Sequence, residues 1–217
     1  MSEKVKRYIW FVLFGISLGY LEAAVVVYLR GLCYPDGFYF PLRMPPLKIF
    51  FTEVGRELST IIILLGTSYC VGSGITRVAY FLLLFGLWDI CYYFWLYILL
   101  KWPPSFFTWD ILFFIPITWA APVIAPIIVS ILFILYGILL FSLDSKKRKV
   151  AVSLREKVVG LTGLLLVFLS FTIDAFLEPT CYLSRIPVSF HWGIFISGII
   201  ISAVVGGRVI KKSTRRI

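Results

Sequence analysis

Phe51-Thr52-Glu53-Val54-Gly55-Arg56-Glu57-Leu58-Ser59-Thr60 runs directly into Ile61-Ile62-Ile63-Leu64-Leu65. Two acids and an arginine therefore stand at the mouth of an apolar segment that continues to about Val71. Glu53 and Glu57 are four residues apart, which places them on one helical face, and Thr60 and Thr67 carry that face inward. A stripe of this kind has two readings. It is either a salt-bridged helix start at the membrane interface, with Arg56 neutralising a neighbouring carboxylate, or a polar path for a ligand.

The whole chain supports the membrane setting. Of its 217 residues 60% are hydrophobic and only 15% charged, too apolar for a soluble domain. Several runs exceed the ~18 apolar residues that cross a bilayer. The sequence reads as one all-α transmembrane domain over residues 1–217, a bundle of six spans at about 8–29, 49–71, 78–100, 110–143, 158–177 and 190–205. The fourth is too long for one perpendicular crossing, and Pro116, Pro122 and Pro126 predict that it is kinked or broken. The loop from Arg30 to Lys48, rich in proline and aromatic residues, is expected at the interface.

A net charge of +10 could suggest nucleic acid, but the basic residues sit in short loops and tails between the spans. With the N-terminus inside, fifteen of the 21 Lys and Arg face the cytoplasm, among them Lys4, Lys6, Arg7, the run Lys146-Lys147-Arg148-Lys149 and the C-terminal tail. Six remain outside: Arg30, Arg43, Lys48, Arg56, Lys101 and Arg185. This bias predicts both termini in the cytoplasm, in a cell membrane, with membrane lipids rather than nucleic acid as neighbours.

The acids are skewed the other way. Glu22, Asp36, Glu53, Glu57, Asp89, Asp110, Asp174 and Glu178 fall at mid-membrane or toward the outside. An ionisable group inside a span costs ~2.5–3.5 kcal/mol on insertion scales, so it faces a partner or a wet cavity. Glu22 is expected to pair with Arg30 or Arg43, or to belong to a binding or proton-carrying site. Asp89 lies among Trp88, Tyr92, Tyr93 and Trp95, where ring faces could help to hold a cation. Asp174 and Glu178 repeat the four-residue spacing, followed by Arg185 and His191. Asp110 reads as a first-turn acid favoured by a helix dipole. The substrate-binding set predicted from these patterns is Glu22, Glu53, Glu57, Asp89, Tyr93, Asp174, Glu178, Arg185 and His191.

No cofactor or metal is expected, because His191 is the one histidine and no Glu-x-x-His pair or CxxC occurs. Cys33 and Cys181 both fall in predicted outer loops, where oxidation to a disulfide is allowed. The absence of Asn and Gln matches the composition of thermophile proteins. No nucleotide-binding or nucleophile-elbow motif is present, so ATP coupling would require a partner membrane subunit.

Gly15 and Gly19 form a small-xxx-small pair on the first helix, a spacing that lets helices approach closely. With that spacing, six helices and an outer-half pocket, the chain resembles in architecture the substrate-binding subunits of energy-coupling factor transporters. That resemblance and the acid pattern lead to binding or transport of a small cationic solute. A lipid-modifying membrane enzyme with carboxylate acid/base residues and a non-catalytic subunit of a membrane complex are the alternatives.

Overall fold

The computed structural model describes residues 3–43, 45–145 and 152–215. Seven helices and one two-stranded sheet follow in the order α1 (Glu3–Cys33), α2 (Leu47–Val71), α3 (Ile75–Leu100), β1 (Trp109–Phe113), β2 (Trp119–Pro122), α4 (Ile124–Ser145), α5 (Leu154–Leu177), α6 (Cys181–Ser184) and α7 (Trp192–Arg215). Among the described residues five helical segments are long and apolar enough to cross a membrane: Tyr8–Cys33, Ile75–Leu100, Ile124–Leu143, Leu154–Leu177 and Trp192–Ser213. The chain is a multi-pass membrane protein by this composition, and its exposed side chains agree. Trp10, Tyr28, Leu32, Phe51, Leu161 and Leu177 are each at least 60% exposed, an arrangement suited to lipid contact.

α2 is built inside out. Its buried residues are Glu53, Glu57, Thr60, Leu64 and Ser68, a single stripe at helical spacing in which four of the five are polar. Phe51, Leu58, Ile62, Leu65 and Tyr69 point outward. In water this face arrangement would be reversed.

The principal helix pairs are α1 with α3, α3 with α4 and α5 with α7, with α2 laid on α3 and α4 touching α7. Glycines allow the closest crossings. A methyl group at Gly19 would lie 2.8 Å from Cys91 Cβ and 2.9 Å from the Trp88 carbonyl oxygen, so only glycine fits there. The Gly163–Gly198 crossing of α5 and α7 is equally tight, with a Cβ on Gly198 falling 2.7 Å from the Gly163 carbonyl oxygen. The Gly15 and Gly19 face is therefore used within the chain, against α3.

The fourth predicted span is corrected. Its first part, residues 109–122, is not helix but an antiparallel hairpin, with Asp110 opposite Ala121 and Phe113 opposite Trp119. Pro116 and Pro122 cannot donate to a helical ladder. Inside a membrane protein the freed backbone groups need partners, and strand pairing supplies them. The hairpin is anchored where Val123 N–H donates to Thr108 C=O (3.0 Å) and Ile124 N–H to Phe106 C=O (2.8 Å). Pro126 falls in the first turn of α4, where an N–H would have no intrahelical acceptor.

The Cys33–Cys181 disulfide is not formed; both are free thiols, and Cys181, the first residue of α6, is buried. The basic run Lys146–Lys149 lies outside the described residues.

Gly19→Ala is expected to cost about 1–3 kcal/mol through overpacking and to lower the unfolding temperature in detergent by several degrees. Gly31→Ala meets nothing within 4 Å and should be neutral or slightly stabilising. Equal unfolding temperatures for the two variants would contradict the close α1–α3 contact.

Candidate functional site

Each surrounding helix gives one face to a cavity of about 620 Å³. α1 contributes Glu22, Val26, Leu29 and Arg30; α2 contributes Phe50, Glu53, Arg56 and Glu57. α3 supplies Phe81, Phe85, Trp88, Asp89, Tyr92 and Tyr93, all at three- and four-residue spacing. The hairpin closes one end with Asp110, Phe113, Phe114 and Trp119, and α4 and α5 add Val129, Phe133, Val167 and Phe168.

The charges are arranged around two arginines. Arg56 hydrogen-bonds Glu22 and Glu53 at the same time, joining α1 to α2. Thr60 Oγ1 also donates to Glu22 (3.3 Å). Arg30, 8% exposed, donates to Asp110 Oδ1 (3.2 Å), and its guanidinium lies 3.7 Å from the Trp102 ring centroid and 4.5 Å from that of Phe38. Tyr93 Oη donates to the other Asp110 oxygen (3.2 Å). Asp110 is thus a buried strand residue held by Arg30 and Tyr93, not a first-turn helix acid.

Glu57 and Asp89 differ from the rest. Both Glu57 oxygens accept from the Phe114 backbone N–H (2.9 Å each), so this carboxylate caps the tip of the hairpin. Asp89 accepts from Ser130 Oγ on α4 (2.7 Å). Among the described residues neither carboxylate has a Lys, Arg or His nitrogen within ion-pair distance.

At the loop end of the cavity Tyr34 and Tyr182 are both buried, and burial raises the pKa of each phenol. The Tyr34 hydroxyl accepts from the Arg43 backbone N–H (2.8 Å).

The predicted set therefore divides. Glu22, Glu53, Glu57, Asp89 and Tyr93 line one cavity. Glu178, Arg185 and His191 do not, and Asp174 lies instead on a smaller recess of about 160 Å³ with Cys181, Arg185 and Ser189. Ala120, Ala175, Cys181 and Tyr182 form a packed cluster at the C-terminal end of α5, beside Asp174. Outside it, His191 Nε2 is 3.2 Å from Asp174 Oδ1 and Arg185 is 3.1 Å from Glu178. Sequence reasoning missed Arg30, Asp110, Trp119 and Ser130. The contact partners of Arg30 and Ser130 are 80 and 41 residues away in the chain, so no local pattern marks them. No group of three or more His, Cys, Asp or Glu residues among those described is arranged to hold a metal. No protein family, characterised protein or solved structure matches the chain.

Arg56→Met leaves Glu22 and Glu53 without a counter-charge and should cost on the order of 3 kcal/mol. Adding Glu22→Gln and Glu53→Gln should restore most of that loss, as read by thermal unfolding of the single and triple variants. A triple variant no more stable than Arg56→Met would mean that Arg56 acts through something other than its charge.

Proposed function

We propose that this chain is a six-span membrane protein with both termini in the cytoplasm, and that its cavity binds a small cationic solute for uptake or transport. One observation carries the reading: Glu57 and Asp89 face the same cavity, and among the described residues neither has a Lys, Arg or His nitrogen within ion-pair distance. A carboxylate at such depth is costly to keep without a counter-charge, and a bound cation supplies one. Trp88, Tyr92 and Tyr93 stand beside Asp89 in the cavity wall, where ring faces add attraction for a cation. A volume of about 620 Å³ lies within the range of small-molecule sites. α2 counts as the sixth span in this reading, its polar stripe turned toward the cavity and its apolar face toward lipid.

A thermal-unfolding screen with methylammonium, tetramethylammonium and benzylammonium, each set against a neutral isostere, tests the reading. At least one amine should raise the unfolding temperature, and Asp89→Asn should remove that rise. Asparagine keeps an oxygen able to accept from Ser130, so the variant itself should unfold near the wild-type temperature. A panel without effect, or an unchanged rise in Asp89→Asn, would defeat the proposal.

A further inference from the structure

The cavity is polarised along its length. Along α3, Tyr93, Tyr92 and Asp89 line one part, and Phe85 and Phe81 continue the same face away from the hairpin. Eight residues separate Asp89 from Phe81, which is ~12 Å of helix. Over that stretch the facing wall is Phe133 of α4 with Leu164, Val167 and Phe168 of α5, and among the described residues no charged side chain lines it. Phe85 and Phe133 are in edge contact, their centroids 5.4 Å apart, and form the floor.

One side of this apolar extension has no helical wall. α2 lines the cavity only as far as Glu57; Thr60 and Leu64, the next residues of its buried stripe, do not, and Leu64 packs instead with Phe11, Leu18 and Leu84. α2 packs mainly on α3, and α5 mainly on α7, so α2 and α5 form no helix pair across the gap. Leu164, on the α5 side, is 50% exposed. In a membrane such a gap opens to hydrocarbon rather than to water.

From this continuity of a carboxylate-bearing chamber with a lipid-facing apolar groove, we infer that the natural ligand is a single-chain amphiphilic cation. Its ammonium head sits by Asp89 and Glu57, and its hydrocarbon tail lies in the groove between α2 and α5, entered sideways from the bilayer. The inference rests on the cation-binding reading above and narrows it to one ligand class. Lipid hydrocarbon and the groove are similarly apolar, so moving the tail between them costs little. Selectivity comes from the head, and in a tailed amine the head reaches the carboxylates only when the tail occupies the groove.

The test uses decylammonium carrying a diazirine at the tail end, photolysed with the full chain in lipid nanodiscs, and the matching decanol as the neutral control. The amine should label α4 and α5 around Phe133 and Leu164 several-fold more than the alcohol does. Asp89→Asn and the groove-filling Leu164→Trp should each abolish that excess, while Leu165→Trp, on the lipid-facing side of α5, should keep it. Methylammonium, which has no tail, should still stabilise Leu164→Trp against heat; this also reports whether that variant is folded. If methylammonium stabilises the wild type but the labelled amine matches the alcohol, the groove inference falls and the cation site stands. If neither amine engages the protein, both fall together.

Discussion

The Arg56 guanidinium is shared between Glu22 and Glu53, and the placement of α2 depends on that sharing. α2 buries mostly polar side chains, and its one buried apolar residue, Leu64, packs with Phe11, Leu18 and Leu84. To that contact the Arg56–Glu22 pair adds a charge-assisted hydrogen bond between α2 and α1, among the stronger contacts available to a side chain. Removing one member would leave a carboxylate or guanidinium stranded in a poorly solvated place, where a lone charge is far more expensive than a lost neutral hydrogen bond. The same clasp fixes the distance between α1 and α2, and with it the width of the chamber.

A second constraint acts on the hairpin. Membrane depth requires that each backbone polar group find a partner within the protein. The segment from Trp109 to Pro122 carries prolines at 116 and 122 and cannot meet that demand as a helix. Two paired strands meet it for most of the segment, and the Glu57 carboxylate accepts the Phe114 N–H at the tip. One carboxylate thereby takes part in the backbone accounting of the hairpin and also lines the chamber.

Periodicity made much of the chamber readable in advance. Glu53 and Glu57 lie on the stripe that their spacing indicates, and Asp89 and Tyr93 share one face of α3. The same reasoning failed at Asp174. Its spacing to Glu178 resembles that of Glu53 to Glu57, yet the packing of α6 on the end of α5 leaves it on a separate recess. Asp110 was misread for a different reason: a helix-start pattern and a strand ending at proline share the same local residues, and only pairing with Ala121 distinguishes them.

Hydropathy and helical spacing are properties of each segment alone, so the chain by itself determined that it lives in a membrane and which side of each helix carries polar groups. The void is not such a property. It exists because α2 and α5 each pack on a different neighbour and leave a space between them, and because Arg30 and Asp110 meet across 80 residues of chain. Which acids are paired with arginine and which are not follows from those long-range meetings, and tertiary packing alone decides them.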